Sequence, residues 1–324
     1  MNYLVTGVAG FIGSRTAELL LEEGHSVVGV DNLNDYYDVG LKRHRLDRVR
    51  SGNGQRFSFL ELDIENKTAV LNLFRDNAFD AVVNLAARAG VRYSMENPDV
   101  YLTTNTMGTL NLLDGMKETG VKKLVLASTS SLYAGQKMPF TEDLPVNSPI
   151  SPYAASKKAA EALAYSYHHL YGIDVSVCRY FTVYGPAGRP DMAPFRFIKW
   201  IAEGTPLMIF GDATQARDFT FVDDIARGTV AAIRPLGYEV INLGGGENPV
   251  SLKTLISMIE EGLGRQAVLD YHPNHKADVK ETWADIEKAD RLLSWRPEVS
   301  LVAGIEQSIS WYLENENWLR DIEV

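Results

Sequence analysis

A short β-branched and apolar run, Tyr3–Thr6, stops at three glycines spaced G-x-x-G-x-x-G, Gly7, Gly10 and Gly13, and a helical pattern begins at once. Few folds accommodate this. Glycines at a strand end let the backbone turn tightly and approach a pyrophosphate, and the helix that follows offers free N–H groups and the positive end of its dipole. The glycine spacing alone is weak evidence; a strand before it and a helix after it make it specific. Asp31 ends the next strand run, twenty-four residues after Gly7. A carboxylate there can accept both hydroxyls of an adenosine ribose and repels a 2′-phosphate, which points to NAD rather than NADP.

The same rhythm continues. Apolar runs at Tyr3–Thr6, Ser26–Val30, Phe57–Leu60, Ala81–Asn84, Lys123–Ala127 and Asp174–Val177 read as strands, and Gly10–Glu23, Pro98–Thr119 and Pro152–Tyr171 as helices between them. Such alternation implies βαβ crossovers and a parallel sheet covered on both faces. Past about residue 180 Pro and Gly become frequent, strands shorten, and helices at Val222–Ile233, Leu252–Gly262 and Leu301–Glu314 are set apart by irregular segments. The expected architecture is an α/β Rossmann-type doubly wound parallel sheet, residues 1–179, with a smaller, interleaved C-terminal substrate-binding lobe, 180–324. The run VINLGGG (240–246) is expected to return to the main sheet, within a segment near 223–246.

Charge and composition exclude several classes. A net charge of -10 argues against a nucleic-acid binder. The lone Cys178 rules out an internal disulfide framework, reads as a core residue and fits a reducing cytoplasm. The first residues lack a basic stretch and are broken by glycines, so no leader is expected, and no apolar run nears the ~18 residues that span a membrane. No metal-ligand set is expected. The basic run Lys42, Arg43, Arg45, Arg48 and Arg50 is read as a solvent-facing helix surface, with a phosphate-binding patch as the alternative.

Chemistry concentrates in SPYAASKKAAE, where Tyr153 and Lys157 share one helical face at i and i+4. A neighbouring ammonium favours the phenolate and is expected to lower the tyrosine pKa. The phenolate can then take a hydroxyl proton while the carbon beneath loses hydride to nicotinamide. Upstream, Ser128, Thr129, Ser130 and Ser131 close the fifth strand, where side chains project into the ligand crevice and hydroxyls can relay a proton.

With these residues stands a set of stretches, TGVAGFIG, LAARAGVRYS, NTMGTLNLL, ASTSSLYAG, SPYAASKKAAE, RYFTVYGP, GDATQARDFTFVDDIA and DVKETWADIEKA, spanning nearly the whole chain. Together they resemble the extended short-chain dehydrogenase/reductase family and, within it, the nucleotide-sugar epimerases. The resemblance implies a tightly held NAD, reduced and reoxidised in one cycle, a UDP-sugar lying across the second lobe, and a homodimer built on the helices around 98–119 and 152–171. It implies Tyr153, Lys157 and Thr129 as catalytic residues, with Ser130 as the rival of Thr129. Cofactor contacts are expected from Gly7, Gly10, Phe11, Ile12, Gly13, Asp31, Asn32, Asp63, Ile64, Leu85, Ala86, Ala87, Asn105, Ser128, Tyr153, Lys157 and Tyr180. Arg92, Ser130, Thr182, Arg189, Arg217 and Asp278 are expected at the substrate.

The branch of the family is read from departures. Related sugar 4,6-dehydratases carry Asp and Glu where this chain has Ser130 and Ser131, and the UDP-glucuronate decarboxylases carry Glu at Ser131, so both reactions are disfavoured. Most 4-epimerases read RYFN where this chain reads Arg179-Tyr180-Phe181-Thr182. Thr182 followed by Gly188-Arg189-Pro190-Asp191, with DNLNDYYD (31–38) and AGVRYS (89–94), resembles the UDP-glucuronate 4-epimerases. A C6 carboxylate needs donors, and a guanidinium offers two at once. Alternatives are a structural Arg189–Asp191 ion pair, a 4-epimerase of UDP-glucose or UDP-N-acetylglucosamine, and a non-catalytic NAD-binding regulator. Two further departures stand out: Ala134 where glycine usually follows Tyr133, and His275-Lys276-Ala277-Asp278 in the C-terminal segment.

Overall fold

The computed structural model describes residues 1–247, 249–273 and 279–324. Chain order begins with β1 (Asn2–Thr6), α1 (Phe11–Glu22), β2 (Ser26–Asp31), α2 (Val39–Arg50), β3 (Phe57–Glu61), α3 (Lys67–Asp76) and β4 (Ala81–Asn84). Then come α4 (Val91–Glu96), the single turn α5 (Asp99–Tyr101), a π-helical stretch Leu102–Gly108, α6 (Thr109–Thr119), β5 (Lys123–Thr129), α7 (Pro152–Tyr171) and β6 (Asp174–Tyr180). The remainder holds β7 (Thr182–Tyr184), α8 (Ala193–Glu203), β8 (Leu207–Phe210), β9 (Ala216–Arg217), β10 (Phe219–Phe221), α9 (Val222–Ala231) and β11 (Tyr238–Leu243). It closes with β12 (Val250–Ser251), α10 (Leu252–Leu263), β13 (Leu269–His272), α11 (Glu287–Leu293) and α12 (Leu301–Leu319).

Seven strands form one sheet in the order β11-β6-β5-β4-β1-β2-β3. Every pairing in it is parallel, with Leu4 opposite Val28 and Val82 and with Ile241 opposite Cys178. Strand order reverses between β1 and β4, and at such a switch point the two chains diverge and leave a crevice beyond the strand ends. β1, β4 and β5 are buried along nearly their whole length, as strands covered on both faces should be. β3, at the sheet edge, is mostly open to solvent. α7 is built to start where it does: Ser151 caps the Ala154 N–H through its hydroxyl, Pro152 occupies the first turn, and Gly172 ends it in the left-handed region.

A separate apolar cluster joins α8, α10 and α12 through Phe195, Ile198, Leu255, Ile259, Ile305 and Ile309, and Leu41 of α2 reaches into it. No helix among the described residues is long and apolar enough to cross a membrane. Two expectations change. The helix expected over 98–119 is interrupted by the π-helical stretch, in which the Asn105 side chain bonds outward to Arg88 and Ser156. The basic run on α2 is not uniformly solvent-facing: Arg45 is 1% exposed and Lys42 4%, because α2 lies wedged between the two apolar clusters.

Candidate active site

The glycine turn is a place where backbone replaces side chain. A Cβ on Gly13 would sit 2.0 Å from the Gly7 carbonyl oxygen, and one on Gly10 would sit 2.9 Å from it. A Cβ on Gly7, whose φ is +68°, would lie 2.7 Å from the Ala86 nitrogen. The ends of β1 and β4 therefore approach as closely as backbone allows, and the Thr6 hydroxyl draws them together by accepting from the Leu85 and Ala86 N–H groups, each at 3.1 Å. The space kept clear opens into two cavities. One of about 90 Å³ is lined by Gly7, Asp31, Asn32, Asp63, Ile64 and Ala86 among others. The second, about 390 Å³, extends from Gly10, Phe11, Ile12 and Gly13 past Leu85 and Ala87 to the end of β5. This cradle and these donors fit a dinucleotide.

Asp31 accepts from the Ala9 N–H (3.1 Å) on one oxygen and the Leu33 N–H (2.8 Å) on the other, leaving a lone pair on each for hydroxyl donors. Burial pushes its pKa up, against the pull of Lys42, those two N–H groups and Arg45. Asn32 donates to Asp63 at 2.8 Å, fixing the carboxylate at the far end of the smaller cavity. Lys42 lines the same cavity and donates to the Asn34 carbonyl; burial brings its pKa down to about 8, although Asp31 opposes this. Sequence reasoning missed Lys42 at this site, because a lysine in a basic run carries no local sign that its neighbours will bury it.

At the β5 end the larger cavity is lined by Ser128, Thr129, Ser130, Ser131, Tyr153 and Lys157. The Tyr153 ring stands edge-on to Tyr101, 6.0 Å between centroids. Burial raises the Tyr153 pKa, while the neighbouring Thr129 hydroxyl and the Arg189 charge pull it down. The expected lowering by Lys157 is thus corrected. The Lys157 ammonium turns to the Ala127 carbonyl (2.9 Å), and its own pKa is down to about 8 through burial, opposed by Glu161. Ser128 donates to Glu161 at 2.6 Å. Glu161 in turn holds Arg179 by two bonds, 2.9 and 2.8 Å, and Arg179 donates to Tyr133, a buried network under the strand ends that spacing did not reveal.

Tyr180, Thr182, Arg189 and Arg217 also line this cavity, Tyr180 beside Thr129 on the adjoining strand. The Tyr180 hydroxyl pairs with Thr229 at 2.8 Å. Arg189 grips Asp191 through Nε (3.0 Å) and Nη2 (2.5 Å), so the ion pair weighed as an alternative is present on the cavity wall itself. Burial works against ionising Asp191, but Arg189 prevails and holds its pKa below the usual range. Two expected residues stand away from the walls. Asn105 is 2% exposed and spends its amide on loop 85–90, bonding Arg88 N–H and carbonyl and Ser156, each at 2.9 Å; it holds the wall from behind. Arg92 stacks over Phe210 at 4.2 Å. Asp278, with His275 and Lys276, lies outside the described residues, although its neighbours Val279 and Thr282 line the cavity.

The profile of the NAD dependent epimerase/dehydratase family matches residues 3–244. The chain belongs to this family. It is 60% identical over 322 residues to a UDP-glucuronate 4-epimerase of Thermodesulfobacterium geofontis, covering 99% of each chain. Its fold is similar to a Bacillus cereus UDP-glucuronic acid 4-epimerase solved with UDP-glucuronic acid and NAD, with a TM-score of 0.91, 40% identity, and 97% and 100% of the two chains covered. It is also similar to a Thermotoga maritima UDP-glucose 4-epimerase solved with UDP-glucose, at TM-score 0.89 and 32% identity, covering 98% and 100%. The glycine cradle and the hydroxyl-lined end of β5 share one cavity, and positions 130 and 131 on its wall are serines.

Proposed function

We propose that the chain is an isomerase that interconverts UDP-glucuronate and UDP-galacturonate by NAD-dependent epimerisation at C4. The observation that carries this reading is that Arg189 and Thr182 line one cavity with Tyr153, Thr129 and Ser130. A guanidinium, a threonine hydroxyl and a serine hydroxyl in one cavity with a tyrosine acid/base match a sugar with a carboxylate at C6 and a reacting hydroxyl at C4. The 60% identity to a UDP-glucuronate 4-epimerase supports it.

Bound in the cradle, with Asp31 at its ribose and Asp63 near its adenine, NAD supplies the acceptor and donor of hydride for C4. Tyr153 takes the C4 hydroxyl proton and returns it after the sugar has turned over. The Thr129 hydroxyl, which favours the ionised Tyr153, steadies that proton, and a second hydroxyl, Ser130, lines the same cavity. Lys157 places a cation one helical turn away and anchors the end of β5 through Ala127. The 4-keto sugar is a β-keto acid and can lose CO2. Arg189 holds the carboxylate out of the alignment that loss requires. Asp191 occupies one edge of the guanidinium and leaves the Nη1–Nη2 end for the substrate. Arg217 on the wall is the candidate for the diphosphate, with the nucleotide sugar lying across residues 180–324.

The deciding experiment follows the anomeric NMR signals of UDP-glucuronate incubated with the protein. UDP-galacturonate supports the reading; UDP-xylose or a 4-keto pentose as main product overturns it. Arg189→Ala is expected to raise KM for UDP-glucuronate by at least about tenfold, since a charge-assisted pair is worth about 1.5–3 kcal/mol. Turnover of UDP-glucose or UDP-N-acetylglucosamine in preference would favour a neutral sugar, and no turnover with NAD retained would favour a regulator. A homodimer in the cytoplasm is also part of this reading. Exposed Leu102, Met107, Tyr165 and Leu170 on the helices around 98–119 and 152–171 support it, and light scattering that gives a monomer mass would refute it.

A further inference from the structure

Among the described residues Arg45 is the largest fully buried side chain, and none of them places a carboxylate in its hydrogen-bonding shell. Nε donates to the Ala187 carbonyl at 2.8 Å, Nη2 to the Gly188 carbonyl at 2.9 Å, and Nη1 to the Tyr37 hydroxyl at 2.6 Å and the Ala9 carbonyl at 3.4 Å. The guanidinium also lies 5.3 Å from the Tyr37 ring centroid and 5.8 Å from that of Phe11. Burying a cation on neutral acceptors is costly, and a packed apolar side chain would serve stability as well or better. The acceptors explain the choice. Ala187 has a φ of +54°, a conformation that residues other than glycine rarely adopt, and it stands in neither helix nor strand. Its carbonyl and the next one are gripped by a single rigid plane, and the residue that follows is Arg189.

We infer that Arg45 is a positioning residue for the substrate carboxylate: it ties the 187–188 turn to the glycine turn of the cofactor site and so fixes where Arg189 stands relative to the reacting carbon. The inference rests on the reading that Arg189 binds that carboxylate. Two contacts at Nη1, to Ala9 in the glycine turn and to Tyr37 on the cavity wall, set one end of the strut; two consecutive carbonyls set the other. Asp191 then orients the guanidinium of Arg189 on a backbone that Arg45 has already placed. A lysine cannot do this, because one ammonium carries no fixed fork and cannot span three segments at once.

The test is Arg45→Lys, read by four measurements beside wild type. KM for UDP-glucuronate is expected to rise about tenfold, since a small misplacement of a binding group costs one to two orders of magnitude. The inhibition constant of UDP, which has no carboxylate, is expected to stay within about twofold, as Arg45 touches no nucleotide-binding group of the sugar side. The share of turnovers that end in CO2 loss is expected to rise. In the Arg189→Ala background, Arg45→Lys is expected to add nothing to KM, because a residue that acts only through Arg189 is silent without it. A folded Arg45→Lys with wild-type KM and CO2 release overturns the inference, as does an undiminished effect in the Arg189→Ala background. If Arg45→Lys yields no folded protein, Tyr37→Phe removes one acceptor of the strut; a rise in KM of about threefold with more CO2 release supports the inference, and no change in either overturns it. Failure of the functional reading looks different: wild type itself would leave UDP-glucuronate unconverted, or Arg189→Ala would keep its KM.

Discussion

Replacing Lys157 by Met should leave an inactive but more stable protein. Lys157 is 5% exposed, its ammonium makes no salt bridge among the described residues, and burial brings its pKa from 10.5 down to about 8. A base whose folded pKa lies below its unfolded one binds fewer protons when folded between those two values, so stability rises with pH across that window. Below about pH 8 the folded protein carries the full penalty, about 3 kcal/mol for a drop of this size. Methionine fills a similar volume without the charge, and losing the bond to Ala127 returns about 1 kcal/mol of the gain. The expected net is about 2 kcal/mol in favour of the variant near neutral pH. The assay is urea unfolding of cofactor-free wild type and Lys157→Met at about pH 7 and about pH 10. The gap should narrow by about 2 kcal/mol at the higher pH, where the wild-type penalty has mostly gone. Lys42 titrates in the same range but is common to both proteins, so it cancels in the difference. A gap that does not change with pH, or a variant less stable at neutral pH, refutes the reasoning.

Other outcomes follow from the same geometry. Tyr153→Phe keeps the ring against Tyr101 and removes only the hydroxyl, so cofactor binding should persist while kcat falls by about three orders of magnitude, measured by single-turnover kinetics. Gly13→Ala puts a methyl 2.0 Å from the Gly7 carbonyl, which must move. The variant should lose NAD binding by calorimetry and unfold at lower temperature than wild type even without cofactor, whereas a mere loss of affinity with unchanged melting would show that the turn is more pliant than argued.

The parts legible in the sequence are those whose meaning is local. Gly7, Gly10 and Gly13 announce themselves because a tight turn between strand and helix demands glycine, and Tyr153 with Lys157 because four residues make one helical turn. Arg189 and Asp191 are two residues apart, so their pairing was also within reach of the sequence. Arg45 was not. Its acceptors at 187 and 188 lie more than 140 residues away, and nothing nearby distinguishes it from Arg43 or Arg50. The same holds for Glu161, whose partners Ser128 and Arg179 come from two different strands. The electrostatics of Tyr153 was misjudged for a related reason: helical spacing gives the face a side chain shares, while the direction in which Lys157 points is set by the strand beneath it. The π-helical stretch at Leu102–Gly108 is similarly dictated by partners outside it, since Asn105 serves the loop at Arg88.

The place of β11 bears on how such a chain comes into being. Residues 238–243 pair along β6 at 174–180, so the outermost position of the sheet on that side is filled only after the intervening fifty-odd residues have been laid down. On the ribosome, β6 emerges as an open apolar edge, a template for any other extended chain, until its late neighbour arrives. A fragment cut after residue 179 would keep that edge permanently bare, and it should aggregate where the full chain does not.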